Sequence, residues 1–300
     1  MNEAALPRRK RRARLEVILA LLLLAAAPAA RAAAPRKPKV LPGIVVEFAA
    51  PDGWPLKAKY VPAKEGKLTL ILLHGTGQRK DDWHALGRSL AGWGYGYLAL
   101  DLRGHGESGK GPDGQPAPWR KFKPTKEQNE FANMTRDIEG AVAYLTGQGV
   151  LEEQIGIIGA DVGSSVGVKY AAVHPKVPLI AMLSPGTHYQ EVLTINAMRR
   201  YTNRPILMVY SLADRNSARA TPVLEGFARQ AAGEQNVTVI KVPQEHGIKM
   251  LKGDLVRQII DWLLSPVRLP GEPEISSDTA PSPEPYPDAA DRLTEPETAP

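Results

Sequence analysis

Three side chains that together could run a covalent hydrolysis stand far apart in this chain: Asp161, Asp214 and His246. Asp161 is the centre of Gly159-Ala160-Asp161-Val162-Gly163, between an apolar run and a small-residue helical pattern. A carboxylate attacking an acyl carbon would leave a high-energy anhydride, which disfavours ester or peptide cleavage. On saturated carbon it can displace halide or open an epoxide, and a histidine can then activate water to hydrolyse the resulting ester. A second carboxylate would hold that histidine in one orientation. The alternative is that Asp161, at a helix N-terminus, pairs stably with His246 and holds the site shut.

The elements that must position these residues read as alternating strands and helices. β-rich runs lie at Ile44 to Phe48, Leu56 to Val61, Leu68 to Leu73, Gly96 to Leu102, Ile155 to Gly159, Leu179 to Leu183, Ile206 to Ser211 and Val237 to Val242. The first two flank the turn signal Pro51-Asp52-Gly53 and predict an antiparallel hairpin at a sheet edge. The later, near-continuous apolar runs suit strands buried on both faces. Helical periodicity joins Trp83, Leu86, Leu90 and Trp93, then Met134, Ile138, Ala141, Val142 and Leu145. Thr221-Pro222 reads as the cap and first turn of a further helix, and Leu255 to Leu264 as a wide apolar stripe. The alternation predicts a mostly parallel eight-stranded sheet with helices on both faces. The polar, Gly-, Pro- and Lys-rich stretch from Gly109 to Gln128 reads as a surface loop, with an overhang above a site as the alternative.

In chain order, His74-Gly75-Thr76-Gly77, Asp101-Leu102-Arg103-Gly104-His105-Gly106-Glu107-Ser108, the Gly-x-Asp-x-Gly turn, Asp214 and His246-Gly247 resemble the α/β-hydrolase superfamily. The resemblance spans essentially the whole predicted body. It implies that Asp161, His246 and Asp214 occupy the nucleophile, general-base and orienting-acid positions, and that the backbone N–H groups of Thr76 and Val162 form an oxyanion hole. Haloalkane dehalogenases and epoxide hydrolases use aspartate nucleophiles within the same fold. This chain departs from both: Val162 stands where dehalogenases carry a halide-binding tryptophan, and the interval from Asp161 to Asp214 leaves no room for a full cap domain. The chain is therefore expected to be a hydrolase of a small-molecule substrate, with a catalytically inactive binding protein of the cell envelope as the alternative.

Gly163-Ser164-Ser165-Val166-Gly167 offers a competing serine nucleophile, but Ser165 falls about one turn inside the helix. Tyr189 and Tyr201 are expected to be packing residues. His74 and His105 are expected to serve turns, Asp101 and Arg103 to brace the Gly-rich turn, and His84, His174 and His188 to lie on the surface or on helices. No histidine and carboxylate cluster has metal-ligand spacing, so no metal and no cofactor is expected.

The two ends carry different messages. Residues 1–32 combine Arg8, Arg9, Lys10, Arg11, Arg12 and Arg14 with an apolar stretch and Ala30-Arg31-Ala32, the pattern of a cleavable secretory signal. Export to the periplasm or medium is expected, with no membrane span after cleavage. Residues 33–42 read as a linker, 43–269 as the folded body, and 270–300, rich in Pro, Glu, Ser and Thr, as a disordered acidic tail. Of the formal charge of +6, the first 39 residues hold ten basic and two acidic groups and the last 30 hold one basic and eight acidic. The body near +5 has no dense basic run interleaved with aromatics, so nucleic-acid binding is not expected. The chain has no cysteine, which excludes disulfides, thiolate catalysis and a lipidated N-terminus.

Overall fold

The computed structural model describes residues 40–125 and 128–267. The segments expected to be a signal peptide at 1–32, a linker from 33 and a tail at 270–300 fall outside the described residues, the linker as far as residue 39. Among those described, eight strands build one sheet: β1 (Ile44–Ala49), β2 (Pro55–Val61), β3 (Thr69–Leu73), β4 (Gly96–Asp101), β5 (Ile155–Ala160), β6 (Ile180–Leu183), β9 (Ile206–Ser211) and β10 (Val237–Val242). Their spatial order is β1-β2-β4-β3-β5-β6-β9-β10. β1 with β2 and β2 with β4 are antiparallel, and every other pairing is parallel, matching the expected edge hairpin. β7 (His188–Tyr189) and β8 (Val192–Leu193) form a separate antiparallel pair.

Side chains alternate across this sheet, so each strand feeds two cores. Ile71 and Leu73 of β3 join the apolar cluster on one face, while Leu70 and Leu72 join the cluster on the other. Helices α1 (His84–Gly92) and α6 (Leu255–Leu264) cover the second face with Trp83, Leu86, Leu90, Ile259, Ile260 and Trp262. Helices α2 (Glu130–Gly147), α3 (Val162–Val173) and α5 (Arg215–Ala232) cover the first with Met134, Ile138, Val166 and Leu224. A short α4 (Ile195–Arg200) follows β8.

One helix starts earlier than its sequence suggests. Thr221-Pro222 is not a cap: α5 begins after Asp214, whose side chain accepts from the Asn216 and Ser217 N–H groups. Asp214 supplies the orphan donors with an acceptor, and Pro222 is accommodated within the helix at an exposed position. The Thr221 hydroxyl instead donates to the Ser217 carbonyl at 2.7 Å.

The register fixes where chemistry is possible. Leu73 of β3 and Met182 of β6 flank Gly159 of β5, so the chain after β3, β5, β9 and β10 emerges along one carboxyl edge. The turn from β5 into α3 is tight enough to require two glycines. A Cβ on Gly159 would lie 2.4 Å from the Gly163 carbonyl oxygen, and one on Gly163 would lie 2.3 Å from that of Leu73. Backbone atoms cannot yield as a flexible side chain can, so Gly163→Ala is expected to cost about 3 kcal/mol in urea denaturation. An unchanged midpoint would contradict this turn geometry.

Candidate active site

Asp161 is held at φ 53°, ψ −123°, a conformation that an L residue adopts only under constraint. Such strain costs about 1–3 kcal/mol and persists where the surroundings over-determine it. Here the Asp161 N–H donates to the Leu183 carbonyl at 3.0 Å, and its own carbonyl accepts from the Ser164 N–H at 3.0 Å and hydroxyl at 2.6 Å. The side chain is thereby raised above the sheet edge, 14% exposed.

The carboxylate divides its two oxygens between different partners. Oδ2 accepts the Thr76 backbone N–H at 3.0 Å, while Oδ1 stands 3.9 Å from His246 Nε2. Val162 opens α3, so its N–H has no carbonyl one turn back to bind. On the far side of the imidazole, His246 Nδ1 donates to Asp214 Oδ2 at 2.5 Å. In the neutral imidazole this bond selects the tautomer with the proton on Nδ1, so that Nε2, on the Asp161 side, is the acceptor nitrogen. Asp214 is itself anchored by the Ser217 hydroxyl at 2.7 Å. The loop after His246 is tied to the sheet because the Gly247 N–H donates to Ser184 Oγ at 2.8 Å and the Ser184 N–H donates to the Val209 carbonyl at 2.8 Å.

Environment pushes the two carboxylates in opposite directions. Burial raises the Asp161 pKa, and hydrogen bonding from Thr76 with the pull of His246 only partly offsets it. Burial also acts on Asp214, but the Ser217 and His246 hydrogen bonds overcome it and the net shift is downward. Asp214 is thus held firmly ionised, while the ionised form of Asp161 is disfavoured by burial. Asp214 has the lower pKa in the folded state, so its stabilising contribution is complete above the ordinary carboxylate value of about 3.9 and disappears as pH falls through the folded value. Asp214→Asn is therefore expected to lower the melting temperature at pH 7 and to converge on the parent in strong acid. A deficit independent of pH would contradict that role.

The five residues that the resemblance picks out, Asp161, Asp214, His246, Thr76 and Val162, meet at this edge. Ser165 does not: its hydroxyl is fully buried inside α3 without a hydrogen-bond partner, because its helical turn faces the core. The tyrosines separate. Tyr201 is a packing residue, buried with its hydroxyl donating to the Pro205 carbonyl at 2.8 Å. Tyr189 instead stands edge-on to the His246 ring, centroids 6.2 Å apart, and its buried hydroxyl has no partner. Burial, with the Asp161 and Asp214 charges, pushes its phenol pKa up, keeping it a neutral donor. The β7–β8 pairing that places Tyr189 has strands too short to register as a periodic pattern.

The remaining candidates brace the scaffold. His74 is buried, donates from Nδ1 to the Gly75 carbonyl and accepts the Leu102 N–H at Nε2, and burial pushes it down to about 3. Asp101 accepts from Lys80 and from the Glu107 N–H, and Arg103 binds Asp137, Asp52 and Glu130. His84 begins α1, His174 stacks on Tyr170 at the end of α3, and His188 is exposed. Among the described residues no group of three histidine or acidic side chains could hold a metal ion, and no helix is long and apolar enough to cross a membrane.

The strand order and the carboxyl-edge site define an α/β-hydrolase fold. A family model described as α/β hydrolase fold matches residues 69–213, from β3 to the approach to Asp214. Among solved structures, it is similar to a dienelactone hydrolase from Anabaena variabilis, with 15% identity and a TM-score of 0.59, covering 76% of this chain and 99% of that one. An esterase from Pyrococcus furiosus gives 16% identity and a TM-score of 0.60, covering 76% and 92%. A Butyrivibrio proteoclasticus protein, Est1E, solved with ferulic acid bound, gives 15% and 0.56, covering 74% and 99%. A search of curated protein sequences finds no match.

Proposed function

We propose that this chain is an exported hydrolase that attacks saturated carbon with Asp161, releasing halide from a haloalkane or opening an epoxide. The observation that carries the reading is the strained Asp161 with its carboxylate divided between Thr76 and His246. Oδ1 attacks the carbon, the carbon–halogen bond breaks, and halide departs with its electron pair. Oδ2, already against the Thr76 N–H, becomes the carbonyl oxygen of the ester. His246 then takes a proton from water at Nε2, hydroxide adds to the ester carbon, and Oδ2 carries the negative charge of the tetrahedral intermediate. Thr76 and Val162 N–H groups are the donors suited to that charge. Collapse expels the alcohol oxygen, which takes the proton back from His246, and the carboxylic acid left on Asp161 loses its proton to solvent, which restores the carboxylate. Asp214 keeps the imidazole in the required tautomer throughout.

A closed site is favoured by one contact, since Oδ2 occupies the Thr76 donor. Against it stands the other oxygen: 3.9 Å from Nε2 is beyond hydrogen-bond range, so Asp161 and His246 are not locked together. Screening bromoalkanes and terminal epoxides tests the reading, with alcohol or diol formation expected. Asp161→Ser is expected to abolish that activity and to confer cleavage of activated esters through the retained donors. A folded parent chain inert across both panels would reject the reading in favour of the inactive alternative.

A further inference from the structure

A second concave surface opens beside the site. A cleft of about 380 Å³ lies between the loop after β3 and the segment after the Gly-rich turn, lined by Gln78, Arg79, Asp82, His105, Trp119 and Arg120 together with Gly77 and Gly106. Its size falls in the range of small-molecule sites, roughly 300–1,000 Å³. Within the Gly109 to Gln128 stretch, Trp119 and Arg120 form one wall of this cleft. Trp119 stacks on the buried His105 ring at 5.5 Å and 3°, and its edge lies 3.2 Å from the position a Cβ would take on Gly77. Arg120 lies over the same indole, 4.6 Å from its centroid.

The charge of the cleft is what selects an occupant. Arg79 and Arg120 are exposed, and among the described residues neither guanidinium pairs with a carboxylate. Asp82 is partly committed, its Oδ2 accepting the Arg79 backbone N–H at 3.0 Å. His105 adds no charge: Nδ1 donates to the Arg103 carbonyl, and burial lowers its pKa. Its Nε2 is buried and does not face an occupant of the cleft. Two arginines against one aspartate leave a single net positive charge, which balances a carboxylate and not a doubly charged phosphate. The planar fork of arginine fits a carboxylate in two-point contact.

Gln78 joins the cleft to the reacting residues. Its Oε1 accepts the Gly75 N–H at 2.9 Å, and a Cβ on Gly75 would lie 2.9 Å from that oxygen and 3.0 Å from Asp161 Oδ2. On its other side, Oε1 is 4.0 Å from where Gly247, the neighbour of His246, would carry a Cβ. Gln78 is thus shared by the wall of the cleft and the surroundings of Asp161. We infer that the cleft binds the carboxylate of an organic acid whose far end is presented to Asp161. This places the substrate among carboxylated compounds, and that clause rests on Asp161 being the nucleophile.

Equilibrium binding to the full, unmodified chain tests the cleft without turnover. Hexanoate is expected to bind at least about tenfold more tightly than hexan-1-ol, and Arg79→Gln or Arg120→Gln to erase most of that preference, the scale of one charge-assisted contact. Arg120→Lys should restore part of it, and each variant should melt with the parent. Hexyl phosphate binding more tightly than hexanoate would overturn the carboxylate assignment. Equal binding of acid and alcohol, no binding of either, or a preference unaffected by both arginine substitutions would overturn the site. Because no bond is broken, these outcomes stand apart from any failure of Asp161 to act as a nucleophile.

Discussion

His246→Gln is expected to convert the enzyme from a catalyst into a reagent that reacts once. Attack by Asp161 needs no proton transfer, so a bromoalkane should still alkylate Oδ1. Hydrolysis of the ester needs a base at Nε2, the acceptor nitrogen of the tautomer that Asp214 selects through its 2.5 Å bond at Nδ1. Removing that base should slow hydrolysis by about a hundredfold to ten-thousandfold, the usual contribution of a positioned general base. The ester should therefore accumulate, with one halide released per chain in a burst. Intact-protein mass spectrometry would record the added alkyl group, localised by peptide mapping to Asp161. A variant that releases no halide would instead mean that His246 acts before carbon–halogen cleavage, contrary to the sequence of steps set out above.

Asp161→Asn should separate activity from stability in opposite directions. The amide is a far weaker nucleophile, and turnover is expected to fall at least about a thousandfold. The same change should stabilise the fold at neutral pH. Burial raises the pKa of Asp161, so its ionised form costs folding stability above the folded pKa. That cost disappears as pH falls through the folded value toward the ordinary one, so the melting-temperature advantage of Asp161→Asn should be present at pH 7 and fade in acid. The Thr76 N–H retains an acceptor in the amide oxygen. A variant less stable than the parent at pH 7 would show that the ionised carboxylate is a net support of the turn. Active sites often carry such a stability deficit in exchange for reactivity.

Much of this arrangement is legible from residue order because strands buried on both faces leave long apolar runs. Such runs anticipate the inner strands of the large sheet, the half-exposed β1 and β2 are marked by the turn signal between them, and the glycines around Asp161 mark a turn whose backbone contacts exclude a Cβ. The resemblance to the α/β-hydrolase superfamily is what picks out His246 after β10 and Asp214 after β9. What escapes sequence reading is decided by contacts between distant segments. Thr221-Pro222 has the local chemistry of a helix start, yet Asp214, already held by His246, caps the helix earlier. Tyr189 and Tyr201 are equivalent as residue types, and only the β7–β8 pairing brings one of them beside the imidazole. The polar segment around Trp119 has no periodicity to announce its docking on His105 and Gly77, which is what creates the second cleft.

The central claim is that Asp161 becomes covalently bonded to substrate, and the most direct measurement follows its oxygen atoms. In heavy-oxygen water, hydroxide adds to the Asp161 ester carbon while the original Oδ1 departs in the alcohol. A single turnover should yield unlabelled alcohol, and the peptide containing Asp161 should gain one heavy oxygen. Heavy-oxygen alcohol from the first turnover, with an unlabelled Asp161 peptide, would mean that water attacks the substrate directly and would contradict the account.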